Sequence, residues 1–175
     1  MPWRGRATWR RPAVSEIAFR DFVRPGDCLA VREIVTSSAF FSGPEVDVAE
    51  ELVRERLAKG EESGYFFVFA ESPDGSILGY ACYGPTPCTA RTFDLYWVAV
   101  RENMRGRGLG KMLLAEVEDR LRGKGGGKLI AETSSRRQYE PTQKFYLSCG
   151  FDQEARIRDY YAPGEDILYF TKDIG

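Results

Sequence analysis

The sequence predicts a mixed α/β domain in which helices surround one central sheet. Short runs of apolar and β-branched residues alternate along the chain with longer stretches whose apolar residues recur at helical spacing. Their order is β-α-α-β-β-β-α-β-α-β-β, which is typical of helices packed on a single sheet. The 175 residues can bury one sizeable core and contain no repeat. We therefore expect a single domain at residues 16–175, preceded by a flexible tail at residues 1–15.

The first half of the chain predicts four strands and two helices. The alternating segment EIAFRDFV, at residues 16–23, predicts an edge strand. Apolar residues at near-helical spacing predict helices within residues 24–40 and 45–60, the second ending at Gly60. The apolar runs GYFFVFAE and ILGYACYG flank the turn SPDGS and predict a hairpin. RTFDLYWVAV, rich in aromatic and branched residues, predicts a third long strand.

The second half predicts two further helices and three strands. Apolar residues from Leu109 to Leu121 form the stripe of an amphipathic helix, which ends at the glycine-rich segment GKGGGK. The short run LIAETSS predicts a strand. The segment YEPTQKFYLSCG predicts a helix with Pro141 in its first turn and a stop at Gly150. Two final strands are predicted on either side of the Ala162-Pro163-Gly164 turn.

Composition excludes several classes of function. The net charge is −1, and four arginines precede the first acidic residue, Glu16, so the rest of the chain carries −5. This balance is a poor match for nucleic-acid binding. No run approaches the ~18 apolar residues of a membrane span. We therefore expect a cytoplasmic protein that binds neither nucleic acid nor membrane.

Cysteine and histidine usage restricts the chemistry further. The four cysteines form no CxxC pair and the chain has no histidine, so we expect free thiols and no metal site. The absence of histidine also removes Ser-His-Asp and Cys-His catalysis. Acid–base chemistry must then depend on carboxylates, tyrosine, cysteine, lysine or bound water.

The segment RENMRGRGLGKMLL, at residues 101–114, predicts a phosphate-binding loop. It fails the Walker A pattern, because Met112 follows Gly110-Lys111, and its G-x-G-x-G spacing fails the dinucleotide fingerprint. What remains is an R-x-x-G-x-G pattern between a strand and a helix. Glycines let the backbone approach an anion closely, and the free N–H groups of the helix start point toward it. A plain strand-to-helix turn is the alternative interpretation.

The surroundings of this loop resemble a known family. YWVAVRENMRGRGLGKMLLAEVEDRL resembles the acetyl-CoA-binding motif of the GNAT superfamily of N-acetyltransferases, small bacterial type, and TQKFYLSCGF resembles its second hallmark, a helix ending in Gly-Phe. The resemblance covers roughly residues 16–173. It implies a mostly antiparallel sheet of about seven strands with about four helices, in which strands 4 and 5 splay apart. It also implies acetyl-CoA as the co-substrate and an amine as the acceptor.

The resemblance assigns cofactor contacts residue by residue. The fourth strand would pair with the pantetheine arm of coenzyme A through its backbone, and the N–H of Val98 would stabilise the thioester oxyanion. The glycine loop would hold the pyrophosphate. The implied cofactor-binding residues are Val98, Ala99, Val100, Arg105, Gly106, Arg107, Gly108, Leu109, Gly110, Lys111 and Thr142. Many members carry an asparagine contact seven residues before the catalytic tyrosine, a position that Tyr139 occupies here.

Tyr146 and Asp94 are the candidate acid and base. Tyr146 matches the family tyrosine that protonates the leaving thiolate, although a tyrosine of the core is the alternative. Asp94 matches the position of a basic carboxylate in the histone-acetylating branch, and counting by two places it on the same strand face as Val98. Its alternative role is a bond to a neighbouring strand or loop. Glu132, Asp159 and ordered water are further candidates for the base.

The predicted acceptor site lies between the first two helices and the last hairpin. Aromatic residues would wall a small pocket and Arg158 would bind a carboxylate. The predicted substrate-binding residues are Phe40, Phe41, Tyr83, Arg158, Tyr160 and Tyr161. We expect direct transfer, in a ternary complex, to the primary amine of a small molecule, of which an amino acid is one example. The alternatives are a protein or peptide N-acetyltransferase and a non-catalytic acyl-CoA-binding module; a homodimer stays open.

Overall fold

The computed structural model describes residues 16–38 and 40–175, and within them the helices and strands follow the predicted order. The strands are β1 (Ala18–Arg20), β2 (Phe66–Glu71), β3 (Ile77–Pro85), β4 (Thr92–Val100), β5 (Gly127–Ser134), β6 (Asp152–Ala162) and β7 (Glu165–Ile174). The α-helices are α1 (Asp27–Ser37), α2 (Gly43–Lys59), α3 (Leu109–Gly123) and α4 (Glu140–Ser148). The predicted flexible tail, residues 1–15, lies outside the described residues.

The strands form one sheet in the order β1-β2-β3-β4-β5-β7-β6. All neighbours are antiparallel except β4 and β5, which run parallel. The helix α3 makes the crossover between these two strands, as a parallel pair requires. This architecture confirms the predicted fold class of one mostly antiparallel, seven-stranded sheet flanked by four helices.

Two apolar layers bury the two faces of the sheet. On one face, α3 and α4 pack through residues such as Leu113, Val117 and Tyr146 against strands β2 to β5 and β7. On the other face, α1 and α2 pack through residues such as Ile34 and Val53 against β2, β3 and β4. Strand β3 is buried on both faces from Ile77 to Gly84 and therefore forms the centre of the molecule.

Local chemistry explains where the helices begin. Ser42 caps α2 in a reciprocal capping box with Glu45, and Pro44 occupies the first turn. Pro141 lies in the first turn of α4, as predicted. The helix α3 starts directly after Gly108, whose φ of 81° requires a glycine. Within the described parts of the chain, no helix is both long and apolar enough to cross a membrane.

The first strand is shorter than its sequence pattern predicts. Alternation predicts residues 16–23, whereas only Ala18–Arg20 pair with β2. The reason is Arg20, whose guanidinium turns into the protein and binds the Asp27 carboxylate at the start of α1 at 2.8 Å and the Glu71 carboxylate of β2 at 2.9 Å. The guanidinium also lies 4.4 Å from the ring centroid of Phe69. These contacts lie at the end of the strand and join the start of α1 to the sheet.

We predict that Arg20→Met lowers the free energy of unfolding by about 3–5 kcal/mol, because it leaves the Asp27 carboxylate buried without its cation. Arg20 is 5% exposed and Asp27 is 3% exposed, so water cannot replace the lost partner. Urea denaturation followed by tryptophan fluorescence measures the change. The control is Lys59→Met, which breaks the exposed Lys59–Glu55 pair and should have a much smaller effect. Equal stability of the two variants would contradict the prediction.

Candidate active site

The site is built on the gap between strands β4 and β5. These parallel strands pair only from Thr92–Lys128 to Leu95–Ala131, although β4 continues to Val100 and β5 to Ser134. Beyond Leu95 the backbone of β4 faces no β5 partner, so its outward N–H and C=O groups are open to a ligand strand. The strands therefore part at their carboxyl ends, as the resemblance implies.

A β-bulge at Tyr96 changes which face of the sheet each β4 side chain occupies. Cys82 of β3 pairs with Trp97 and Tyr83 pairs with Leu95, so Tyr96 is the extra residue. Leu95 and Val98 consequently pack on the same layer, against α3 and α4. The expectation that Asp94 shares a face with Val98 is therefore wrong: Asp94 faces the α2 side, and the bulge between them is the physical reason.

The glycine loop has the backbone geometry that an anion site requires. Gly106 and Gly108 have φ angles of 71° and 81°, and a Cβ added to either would meet nothing within 4 Å. The α3 N-terminus carries no side-chain cap, so its first N–H groups remain available. The space that these missing side chains leave fits a pyrophosphate drawn against the backbone. A Cβ on Gly110 would instead lie 3.2 Å from the Phe145 ring.

The cations of the loop are already engaged within the protein. The Arg105 guanidinium lies 5.3 Å from the ring centroid of Phe40, so it stays beside the loop. Arg107 places Nη1 3.3 Å from the Met104 sulfur. Lys111 donates to the Ser148 carbonyl at 3.4 Å, which draws its ammonium group toward the end of α4. Of these three cations, only Arg105 lines the cavity that joins the loop to β4.

A cavity of about 340 Å³, which we call the loop cavity, joins the glycine loop to β4. It lies between β4 and the start of α4, with the α1–α2 connection on its rim. Its lining residues are Ser38, Phe40, Phe41, Val98, Val100, Arg105, Gly106, Gly110, Pro141, Thr142, Phe145 and Tyr146. The structure thus gathers six of the predicted cofactor-binding residues in one channel. This channel has the course expected of a pantetheine arm.

A second cavity of about 360 Å³, the central cavity, adjoins the first, with which it shares Phe40, Phe41, Val98, Thr142 and Tyr146. It lies over the gap between β4 and β5. Its further lining residues are Ser42, Glu45, Tyr96, Trp97, Glu132, Thr133, Ser134, Arg136, Gln138, Tyr139, Tyr161 and Glu165. Two of the predicted catalytic residues, Val98 and Tyr146, therefore face the same cavity as the carboxylate of Glu132.

Tyr146 is the buried hydroxyl of the central cavity. The residue is 6% exposed, and its ring packs against Phe145, Phe151 and Phe170 with centroids 5.4 to 5.6 Å apart. Burial, with Cys149 and Glu132 as smaller causes, raises the pKa of its phenol well above the usual value. No hydrogen bond among the described residues occupies the hydroxyl, which leaves its proton available to a ligand. Tyr146 is thus both a core residue and a cavity residue.

Tyr139 stands where the family pattern has an asparagine, and it takes a different role here. Its hydroxyl lies 3.5 Å from the Phe40 carbonyl, to which it donates. Gln138 donates to the same carbonyl at 3.4 Å. These two bonds tie the α1–α2 connection to the start of α4 across the cavities. Tyr139 lines the central cavity and not the loop cavity.

A third cavity of about 610 Å³, the outer cavity, opens on the α2 side of the gap. It shares Tyr96, Trp97 and Glu132 with the central cavity. Its other lining residues are Val48, Leu52, Tyr65, Thr86, Asp94, Leu95, Ile130 and Tyr169. Asp94 faces this outer cavity and does not line the central one, so Glu132 is the carboxylate that reaches both.

Glu132 has the electrostatic setting of a base. Its side chain is open to the cavities yet flanked by protein, and this partial burial raises the pKa of its carboxyl group. The negative charge of Asp94 is the second cause of the raised pKa, and the Tyr169 hydroxyl opposes both. Glu132 is a further candidate for the base in the sequence, behind Asp94. Strand alternation indicates its position: Leu129 and Ala131 point into the core, so Glu132 must point to the opposite face.

The predicted acceptor residues divide into two groups. Phe40, Phe41 and Tyr161 line the central cavity. Tyr83 does not: it is 3% exposed in the core layer beneath α3, where burial raises the pKa of its phenol to about 12. That assignment is wrong, because β3 is buried on both faces and this side chain points away from the cavities.

Arg158 and Tyr160 lie on the exposed edge strand β6 and line none of the three cavities. The register of β6 against β7 is irregular between Ile157 and Ala162, so this segment bulges outward. Asp159 has a φ of 52°, and its amide donates to the Asp166 carboxylate at 2.9 Å. Arg158 is therefore not placed to bind a carboxylate in the central cavity.

Comparison with known proteins identifies one family. A sequence model of the acetyltransferase (GNAT) family matches residues 28–151. A solved structure from Desulfovibrio desulfuricans, assigned as an acetyltransferase of the GNAT family, is 48% identical with a TM-score of 0.89 and covers 91% of this chain and 99% of that chain. No curated protein sequence matches the chain significantly.

Two more distant structures share the fold. One is an N-acetyltransferase from Escherichia coli that acts on an alanine of a ribosomal protein, at 21% identity and a TM-score of 0.70, covering 91% of this chain and 94% of that one. The other is an aminoglycoside 6'-N-acetyltransferase complexed with coenzyme A, at 16% identity and a TM-score of 0.71, covering 90% and 97%. At these identities the likeness concerns the fold alone.

We predict that Gly108→Val weakens the binding of coenzyme A at least tenfold, equivalent to ~1.4 kcal/mol. A β-branched side chain there fills the space in which the pyrophosphate would meet the backbone. Isothermal titration calorimetry measures the affinity. Gly110→Val is a less specific test, because its side chain would also displace Phe145.

The matched control for this prediction is Gly75→Val in the β2–β3 turn. Gly75 has a φ of 82° and open surroundings, so valine imposes the same backbone strain there as at Gly108, but Gly75 lies outside the glycine loop and does not line the loop cavity. Gly75→Val should bind coenzyme A with unchanged affinity. Equal affinities of the two variants, with both proteins folded, would contradict the assignment of the glycine loop to the pyrophosphate.

Proposed function

Because the chain belongs to the GNAT family of acetyltransferases, we propose that it moves the acetyl group of acetyl-CoA to the primary amine of a small molecule, directly and in a ternary complex. The observation that supports this most strongly is the central cavity. There Val98, Tyr146 and Glu132 line one space. This space shares lining residues with the loop cavity and with the outer cavity.

The chain's own residues suit the donor. Bound acetyl-CoA supplies the thioester whose carbonyl carbon forms the new C–N bond as its C–S bond breaks and coenzyme A leaves as the thiol. The glycine loop and the α3 N-terminus would hold the pyrophosphate, with Arg105 adding positive charge. Val98 and Val100 would present free backbone groups to the pantetheine arm. Thr142 and Phe145 would form the opposite wall of that channel.

We assign the role of general base to Glu132. An amine acceptor is an ammonium ion at neutral pH and must lose a proton before its nitrogen can attack. Glu132 lines the central cavity and the raised pKa of its carboxyl brings it closer to the working range of a base. Asp94 lines the outer cavity and not the central one, so we assign it no direct part in the proton transfer.

We assign the role of general acid to Tyr146 and that of oxyanion donor to the N–H of Val98. The Tyr146 hydroxyl gives its proton to the sulfur as the thiolate departs, and it regains a proton from the new amide nitrogen through solvent. The Val98 N–H donates to the thioester oxygen as negative charge develops there. We assign cysteine no part, because none of the four cysteines, all of which the structure describes, lines any of the three cavities.

The size of the cavities favours a small acceptor. The central and outer cavities enclose about 360 and 610 Å³, which suits a compact molecule held between aromatic walls. The fold itself does not decide the class of acceptor, since one structural neighbour acts on a ribosomal protein and another on an aminoglycoside. Release of the coenzyme A thiol against a panel of amines and peptides tests the proposal directly. Turnover of peptides alone would contradict it.

We predict that Tyr146→Phe lowers turnover by roughly 10²-fold or more, because the ring and its packing remain while the proton is lost. Affinity for acetyl-CoA should change little, since the hydroxyl acts mainly as charge develops on sulfur. The raised phenol pKa keeps the acid protonated at neutral and mildly alkaline pH. The wild-type rate should therefore fall only above the usual tyrosine pKa of about 10, and the variant should lack that fall.

Tyr80→Phe is the matched control for this variant. Tyr80 is also buried, its hydroxyl also has no partner, and it lies in the opposite core layer. It should retain wild-type turnover, cofactor affinity and melting temperature. Near-normal turnover of Tyr146→Phe would remove that hydroxyl from the mechanism.

We predict that Glu132→Gln abolishes the acidic limb of the pH profile of kcat/KM. Glu132 must be ionised to accept a proton, so wild-type activity falls as the pH drops through its raised pKa. Asp94→Asn removes one cause of that raised pKa, so it should move the limb to lower pH. Initial rates from acidic to neutral pH measure both effects. An unchanged profile in Glu132→Gln would assign the base to water or to another group.

A further inference from the structure

The outer cavity carries negative charge that the described protein leaves unpaired. Asp94 and Glu132 both line it, and no arginine or lysine does. Neither carboxylate forms a salt bridge among the residues that the structure describes. Asp94 is half-buried, and the repulsion between the two groups contributes to the raised pKa of Glu132. Two close carboxylates in a partly enclosed space favour a cationic ligand.

The walls of the outer cavity suit a cation as well. The rings of Tyr65, Tyr96, Trp97 and Tyr169 line it, and Tyr65 meets Tyr96 edge to face at 5.4 Å between centroids. Aromatic faces attract ammonium groups, the more so where water is excluded. Val48 and Leu52 of α2 complete the wall and would contact an alkyl chain. The cavity thus combines apolar and aromatic surface with two anionic groups.

The distance between Asp94 and Glu132 indicates how long a ligand that contacts both must be. Asp94 pairs with Ile130, and Glu132 lies two residues further along β5 on the same face. From a strand spacing of about 4.8 Å and a rise of about 3.3 Å per residue, the two Cα atoms lie about 8 Å apart. Glu132 also lines the central cavity, whereas Asp94 does not. A short chain with a cation at each end can therefore contact both carboxylates while one end reaches the transfer site.

We propose that the acceptor is a small alkyl diamine, in which the amine that is acetylated lies beside Glu132 and the second ammonium group binds Asp94 between the aromatic rings. This inference rests on the proposed function and gives its acceptor a chemical class. Bond formation and breakage are those of the acetyl transfer, and the second ammonium group keeps its protons throughout.

The structure argues against an acceptor that carries a carboxylate. Arg136 is the only arginine or lysine of the described chain that lines the central cavity, and it is paired with Glu165 at 2.6 Å. Glu45 adds a further negative charge to the same cavity. A carboxylate there would be repelled without gaining a free cation. The expected use of Arg158 for this purpose does not apply, since that residue lies on the β6 edge.

Three acceptors with five carbon atoms each test the proposal: pentylamine, 1,5-diaminopentane and 5-aminopentanoate. They present the same reactive amine, and their fifth carbon is a methyl, carries an ammonium group or is a carboxylate. We expect kcat/KM, measured by thiol release, to be at least tenfold higher for the diamine than for pentylamine, and lowest for 5-aminopentanoate. Equal values for the diamine and pentylamine, or a preference for 5-aminopentanoate, would overturn the proposal.

The variant Asp94→Asn tests whether Asp94 causes the preference for the diamine over pentylamine. The ratio of kcat/KM for the diamine to that for pentylamine should fall toward one, and a shared effect on chemistry cancels in this ratio. Asp119→Asn is the control: it removes the same charge from the exposed surface of α3, on the other side of the sheet, and should preserve the ratio. A preference that survives Asp94→Asn would contradict the assigned site.

If no amine is acetylated, a binding measurement can still test the cation site independently of the proposed function. Calorimetry then measures 1,5-diaminopentane against the protein loaded with coenzyme A. Binding that Asp94→Asn weakens at least tenfold, without turnover, would support the cation site and contradict the proposed function. Absence of Asp94-dependent binding would overturn the cation site itself.

Discussion

The site depends on one constraint, the early end of pairing between β4 and β5. Parallel strands in the middle of a sheet normally satisfy each other along their full length, because unpaired backbone groups are costly to bury. Here pairing stops at Leu95 and Ala131, and both strands continue. The unpaired edge of β4 is tolerable only if water or a ligand satisfies it. A gap in the sheet is thus both a local loss of hydrogen bonds and the reason that a substrate can bind there.

The bulge at Tyr96 makes this gap usable. It increases the local twist of β4 and reverses the facing of the residues that follow. Val98 then packs toward α3 and α4, beside Tyr146, while Trp97 packs toward the α2 layer beside Phe41. One extra residue therefore lets neighbouring residues of the strand line the space on both sides of the sheet.

Features that depend on local chemistry could be predicted from the sequence. Gly106 and Gly108 require positive φ, Pro141 belongs in a first helical turn, and SPDGS forms its turn from its own side chains. The bulge could not be predicted. From Leu95 to Val100 every residue is apolar or aromatic, so no polar residue reveals where the alternation changes phase. The expectation that Asp94 and Val98 share a face is wrong for this reason, because counting by two residues does not allow for a bulge between them.

For a related reason, the sequence does not predict which face of the sheet each side chain of a fully buried strand occupies. A strand with apolar residues on both faces gives no sign of which face is which, so Tyr83 could not be assigned to the core layer beneath α3. The position of Glu132 was more accessible, since a charged residue between buried neighbours indicates an open face. The sequence does not predict that Asp94 lies close to Glu132, because this depends on the register of β4 against β5.

Positive and negative charges lie on different sides of the gap between β4 and β5. The net charge of −1 gives no sign of this separation. The loop cavity has Arg105 and the positive end of α3 and is lined by no carboxylate. The central and outer cavities contain Glu45, Asp94, Glu132 and Glu165 against the single Arg136. In the proposed reaction, each opening would attract one sign of ligand and repel the other within the Debye length of about 10 Å. A polyanionic donor would then enter through the loop cavity and a cationic acceptor through the outer cavity, and Val98 and Tyr146 line the central region between them.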